Sequence, residues 1–279
     1  GLEFTALGSV LLSGSFTLTL GQSGIVNSST SGLKTVSTGL FLSAAQSFAN
    51  SGALTISGAV ANGGRLLTLS GTGLSGTLSG AVSGTGGLEK TGSGTWLVSG
   101  TNTFTGNMTV SAGTLRIGSA GAVPNIAVIV SGNAASTTAT LDLNGYDATI
   151  ASLSLGGSTS TSGAAVTTGA GTLTLGGNLT YSDHHDPLGA TISGKLALGA
   201  ANRTFNVEDS HTAAADLTIS ANISGNSVGV TKTGEGTLTL AGANTFTGAL
   251  RLAAGTLRAA GPATSLGSGT LALEGGMLQ

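Results

Sequence analysis

Gly87-Leu-Glu-Lys-Thr-Gly-Ser-Gly-Thr-Trp-Leu-Val-Ser-Gly-Thr-Asn-Thr-Phe-Thr-Gly-Asn-Met-Thr-Val-Ser-Ala-Gly-Thr-Leu-Arg-Ile117 returns 142 residues later as Gly229-Val-Thr-Lys-Thr-Gly-Glu-Gly-Thr-Leu-Thr-Leu-Ala-Gly-Ala-Asn-Thr-Phe-Thr-Gly-Ala-Leu-Arg-Leu-Ala-Ala-Gly-Thr-Leu-Arg-Ala259. The two stretches align without a gap and share 17 of 31 columns, among them Lys90/Lys232, Thr91/Thr233, Gly92/Gly234, Asn102/Asn244, Phe104/Phe246, Gly106/Gly248 and Gly113/Gly255. A long repeat of this kind is one supersecondary unit of an array. Within it, aliphatic residues alternate with small polar ones, which predicts short strands over Thr95 to Val98, Met108 to Val110 and Thr114 to Ile117, with turns between. Such a unit cannot bury its aliphatic face alone. Stacking successive coils, strands about 4.8 Å apart, buries a continuous column and pairs the backbone along the axis.

Outward from the repeat, the same period of two recurs in Ser15-Phe-Thr-Leu-Thr-Leu20, Leu67-Thr-Leu69, Thr140-Leu-Asp-Leu143, Thr172-Leu-Thr-Leu175, Thr237-Leu-Thr-Leu240 and Thr270-Leu-Ala-Leu273. In a strand the aliphatic set faces inward, and the threonines lie on the wet face, where they can form ladders. Gly, Asn-Gly and Ser-Gly turn signals follow most runs, at intervals of about eight to twelve residues. Ser43–Asn50, the one stretch to test as a helix, is too short and small-sided. The expectation is an all-β, parallel β-solenoid over residues 1–279, a single elongated segment with little or no helix. Coils of roughly 20 to 25 residues would give about 11 to 14 turns. The asparagine of Asn-Thr-Phe-Thr-Gly sits at a turn, where its amide can bond the backbone, and the phenylalanine fills a corner. Lys90 and Lys232 are read as turn residues with a structural role at the coil corner, and Trp96 as an inward core residue.

Composition agrees. Hydrophobic residues make up 39% and charged residues 7% of the chain, and 49 of 279 residues are Gly. A mean hydropathy of +0.37 with a net charge of −2 argues against disorder. Three prolines and no triplet glycine period exclude collagen. Nine Lys and Arg scattered over the chain give no phosphate-neutralising stripe, so no nucleic-acid partner is expected. The absence of Cys excludes disulfides and thiolate metal sites. There is no 18-residue apolar run to span a membrane, and Gly1-Leu-Glu-Phe4 lacks the basic stretch of an export signal.

The elements Lys-Thr-Gly-x-Gly-Thr (from Lys90 and Lys232), Gly-x-Asn-Thr-Phe-Thr-Gly (from Gly100 and Gly242) and Ala-Gly-Thr-Leu-Arg (from Ala112 and Ala254) resemble the passenger-associated, autotransporter-associated β-strand repeat. Residues 139–153 are similar to the linking coils of that family. The resemblance implies a right-handed β-helical passenger, secreted to or displayed on the surface of a Gram-negative bacterium, with its translocating β-barrel outside this chain. It makes the chain a slice of a longer passenger, and a structural or adhesive stalk or fibre. Such a stalk could self-associate end to end or laterally and contact host surfaces or glycans. The alternative is a polysaccharide-binding or polysaccharide-cleaving β-helix.

Catalytic, cofactor and metal residues are not expected. Asp183-His184-His185-Asp186-Pro187 has ligand chemistry but reads as a surface loop between coils, because adjacent histidines on a strand point to opposite faces. Glu208-Asp209-Ser210-His211 contains triad residue types without triad spacing. Asp142 and Asp147 flank the Asn144-Gly145 turn and read as turn residues. Paired carboxylates or grouped calcium ligands, which carbohydrate chemistry on a β-helix would need, are missing.

Overall fold

A computed structural model describes residues 1–73, 75–133, 138–157, 163–182, 188–211 and 213–279. They form two units, Gly1–Ile126 and Ala127–Gln279. Each unit is a parallel β-solenoid, and the described residues contain no helix.

In the first unit one sheet stacks Leu2–Phe4, Ile25–Asn27, Gln46–Asn50, Leu67–Gly71, Leu88–Lys90 and Met108–Val110. A second sheet stacks Val10–Leu12, Lys34–Val36, Ala53–Ile56, Ser75–Leu78, Thr95–Val98 and Thr114–Ile117. A third, shorter sheet stacks Thr17–Leu20, Gly39–Leu42, Val60–Ala61 and Val82–Ser83. The chain visits the three faces in turn, so every pairing joins one coil to the next. Ile25 pairs with Phe48 and Lys90 with Val110, so the coils shorten from 23 to 20 residues along this unit.

The second unit repeats the plan. Its first sheet includes Ser152–Gly157, Leu179–Ser182, Arg203–Val207, Val230–Thr233 and Leu250–Leu252. Its second includes Ala164–Thr167, Ala190–Ser193, Leu217–Ile219, Thr237–Leu240 and Thr256–Ala259. Its third is Ala148–Ile150, Leu173–Leu175, Lys195–Ala197 and Asn222–Ser224. Phe205 pairs with Lys232, a coil of 27 residues, longer than the spacing of strands in the sequence suggested. The excess lies in the connection between Val207 and Leu217, which carries Glu208 to Asp216.

The predicted strands Thr95–Val98, Met108–Val110 and Thr114–Ile117 are present with those bounds. The strand Leu88–Lys90 was not foreseen, nor was Val230–Thr233, because Glu-Lys and Lys-Thr read as turn chemistry. Lys90 is therefore the last residue of a strand and points inward, a correction to its placement in a turn; its role at the corner stands. The inward aliphatic columns are dry: Leu54, Leu67, Leu69, Val98 and Leu173 have no exposed surface. Leu273 departs from that pattern at 60% exposure. Its strand, Leu271–Leu273, is the last of its sheet and has a neighbour on one side only.

Candidate functional site

The repeat coil is the feature that the sequence singles out, and its recurring residues build it from inside. Lys90 and Lys232 are fully buried. The Lys90 ammonium donates to the carbonyls of Thr91 at 2.6 Å, Gly92 at 2.7 Å and Ala112, one coil on, at 3.1 Å. Lys232 repeats this with Thr233 at 2.8 Å, Gly234 at 2.6 Å and Ala254 at 3.2 Å. Gly92 and Gly234 make the turn at φ +69° and +77°, a region that suits glycine. Burial pushes the Lys90 ammonium down to about 8. It does the same at Lys232, opposed there by the charges of Glu235 and Asp216, again to about 8.

Both lysines hold their proton at neutral pH, and their burial makes stability depend on pH. The unfolded chain keeps the proton up to the ordinary value of 10.5, whereas the folded chain releases it near 8. Between those limits the unfolded state binds more protons, so stability rises with pH. We expect the melting temperature to climb by a few degrees from about pH 8 to about pH 10 at constant ionic strength. In a Lys90→Met/Lys232→Met variant that climb should flatten.

Asn102 and Asn244 replace a strand. In both repeat copies the third face carries Asn-Thr-Phe-Thr-Gly in place of a third-sheet strand. The Asn102 side-chain carbonyl accepts the Val82 amide at 2.8 Å, and its NH2 donates to the Ala122 carbonyl at 2.7 Å. Asn244 accepts the Ile223 amide at 2.7 Å and donates to the Ser265 carbonyl. The segment keeps the ladder going, with Thr103 donating to Val82 and Thr245 to Ile223. Phe104 and Phe246 fill the interior beneath.

Outward, the second sheet of the first unit sets Thr35, Thr55 and Thr77 in register. Ser37, Ser57 and Ser79, two residues further on, lie exposed on the same face.

Residues 183–187, with His184 and His185, lie outside the described residues. Glu208, Asp209 and His211 line one shallow groove with Asn206, Gly234 and Glu235. There His211 Nδ1 lies 3.1 Å from Asp209, while the Ser210 hydroxyl accepts the Ala213 amide at 2.9 Å. Asp209 also accepts the His211 amide at 2.8 Å, so Asp209, Ser210 and His211 form a hydrogen-bonded turn. Asp216, close by, is buried and accepts the amides of Ser210 at 2.8 Å and Thr237 at 2.7 Å. Asp142 acts as a turn residue, accepting the Asn144 amide at 2.9 Å, whereas Asp147 accepts the Thr172 amide of the next coil at 2.8 Å. Among the described residues no three His, Asp or Glu side chains gather as a metal site, and no helix is long and apolar enough to cross a membrane.

Residues 88–117, 166–194 and 230–259 match the passenger-associated-transport-repeat family. The middle copy was missed in the sequence, although Thr168-Gly-Ala-Gly-Thr-Leu-Thr-Leu175 matches Thr233-Gly-Glu-Gly-Thr-Leu-Thr-Leu240 in all but one residue. It lacks the lysine and the Asn-Thr-Phe-Thr-Gly that anchored the comparison. It also sits elsewhere on the coil. Its Thr-Gly-x-Gly turn leads from the second sheet into the third-sheet strand Leu173–Leu175, whereas the flanking copies turn from the first sheet into the second. Over 82 residues, 29% of this chain, the sequence is 48% identical to the adhesin BmaC autotransporter of Brucella suis biovar 1 (strain 1330); that stretch is 2% of the Brucella protein. No solved structure matches. The chain thus carries three copies of the passenger-associated-transport repeat on parallel β-solenoid coils and, over the stretch matched, is similar to an autotransporter adhesin.

Proposed function

We propose that this chain is a structural and adhesive scaffold within a longer autotransporter passenger, without catalytic activity of its own, and that residues 1–279 act as one solenoid segment. The observation that carries this reading is which residues the repeat repeats. Lys90/Lys232, Asn102/Asn244, Phe104/Phe246 and Leu115/Leu257 are shared and buried. On the outer faces Glu89 stands against Thr231 and Thr109 against Arg251, while Thr95/Thr237, Thr114/Thr256 and the exposed Arg116/Arg258 are shared. The shared buried residues join coil to coil, the lysine through carbonyls of two coils and the asparagine across the strandless third face, which is the work of an architectural unit. The similarity to an adhesin passenger supports display at the cell surface with contacts to host surfaces. The uncharged Thr and Ser columns suit lateral association with further copies, since each hydroxyl both donates and accepts.

Leu88 pairs with Met108, so deleting residues 88–107 removes one coil in phase. In a surface-displayed passenger, we expect that deletion to leave folding and host-cell binding within about twofold of the parent. Loss of binding by a folded deletion variant would place a ligand site in that coil and overturn the scaffold reading.

A further inference from the structure

Three of the four lysines in the chain end in one kind of place. Lys34, Lys90 and Lys232 have no exposed surface, whereas Lys195 lies on the outside. Each buried ammonium sits in the corner between the first and second sheets, and each meets carbonyls of two successive coils. Lys90 and Lys232 reach it from the end of a first-sheet strand and touch the following coil. Lys34 comes from the opposite side, the start of a second-sheet strand, and touches the preceding coil. Its Nζ donates to the Gly8 carbonyl, to Ser31 at 2.9 Å and to Gly32 at 3.4 Å.

The sequence around Lys34, Ser31-Gly-Leu-Lys-Thr-Val36, is not the repeat motif. Two unrelated local sequences thus deliver the same charge to the same corner from opposite sides. What they share is the backbone. At this corner two coils turn together and bring carbonyl oxygens of both within reach of one nitrogen. The coil after that of Lys34, which lacks the lysine, puts another N–H donor at this corner: Asn50 Nδ2 donates to the Gly52 carbonyl at 3.0 Å. The middle repeat copy, which lacks the lysine, turns at a different corner. There the buried Thr168 hydroxyl accepts the Lys195 amide at 2.8 Å.

We infer that the first-to-second-sheet corner is a built binding site for a primary amine, filled in three coils by the chain's own lysine, an ammonium at neutral pH, whose tethered nitrogen ties two coils together. The ligand class follows from the oxygens: three carbonyls converge on one point, which matches the three donors of an ammonium group, while a neutral amine fills two of them, a hydroxyl one and a hydrogen-free group none.

The 279-residue chain labelled with 15N-lysine gives the first reading. In mildly acidic buffer, three ammonium groups should exchange their protons roughly tenfold or more slowly than Lys195. Exchange of all four at one rate would overturn the inference. Truncation gives the second. Lys90→Ala should lower the melting temperature, and n-butylammonium chloride should restore part of the loss, while n-butanol and choline chloride at equal concentration should not. Equal rescue by butanol, or a Lys90→Met variant as stable as the parent, would show an apolar hole and no ammonium site. If Lys90→Ala does not fold, Lys232→Ala in the second unit carries the same comparison.

Discussion

Gly80→Ala is expected to cost about 3 kcal/mol or more, large for the addition of one methyl group. Gly80 lies at the corner between the second and third sheets of the first unit, where the coils pass backbone on backbone. A Cβ there would lie 1.9 Å from the Gly58 carbonyl oxygen. Gly58 is held in the same way, its Cβ position 1.8 Å from the Thr38 oxygen, and Gly100 sits over the Gly80 oxygen at 2.3 Å. The three glycines form a column, each the second residue of a Ser-Gly pair. None of the obstructing atoms belongs to a side chain that could swing aside, so the coils would have to separate. Separation would strain the ladder bonds on either side, such as Gly80 N–H to Ile56 at 3.1 Å. Gly21, with open space around its Cβ position, is the control, and its alanine variant should stay within about 0.5 kcal/mol of the parent. Urea denaturation midpoints of the two variants make the comparison; equal midpoints would contradict the stacked-corner geometry.

The second large effect is at Trp96. The side chain is fully buried, and its indole N–H donates to the Ser70 carbonyl at 3.0 Å. It lies over Gly76, its register partner on the preceding coil, and a Cβ on Gly76 would come within 2.5 Å of the indole. In the other copy the pair is Leu217 under Leu238. The large-over-none pair in one unit and the medium-over-medium pair in the other fill comparable space. Trp96→Ala should therefore cost about 3 to 5 kcal/mol, because it opens a cavity and leaves a carbonyl without its donor. Trp96→Leu should cost less but remain destabilising while Gly76 is present. Adding Gly76→Leu to Trp96→Leu should restore part of the loss, a favourable coupling of about 1 kcal/mol or more in a double-mutant cycle. Additive effects would mean that the two residues do not share one core position.

Much of this was legible in the sequence, because period-two alternation and a gap-free repeat report on the two things a solenoid needs: an inward face and a stacking neighbour. The strands around Trp96, Met108 and Leu115 were read to the residue. The misreadings share one cause. Charge was taken as a sign of exposure, so Leu88–Lys90 and Val230–Thr233 were lost as strands, and Lys34 was passed over. A buried lysine whose partners are backbone carbonyls depends on no particular side chain, so no residue type in the sequence betrays it. The middle repeat copy was lost for a related reason: its lysine and asparagine are absent, and its turn serves a different corner. Coil length was legible only in part, since the residues between Val207 and Leu217 carry the same polar composition whether they form a turn or a longer excursion.

The central claim is parallel, in-register stacking of coils, and cysteine cross-linking tests it most directly because the chain has no cysteine of its own. Thr55 and Thr77 are register partners facing outward on adjacent coils of the second sheet. Strands about 4.8 Å apart bring their Cα atoms within disulfide range. The Thr55→Cys/Thr77→Cys variant should oxidise in air to a single intramolecular disulfide in folded protein. The one-residue slip, Thr55→Cys/Leu78→Cys, places the second thiol on the inward face and should stay reduced until the protein is unfolded. Efficient cross-linking of the slipped pair, or none in the aligned pair, would contradict the register and with it the solenoid on which the rest depends.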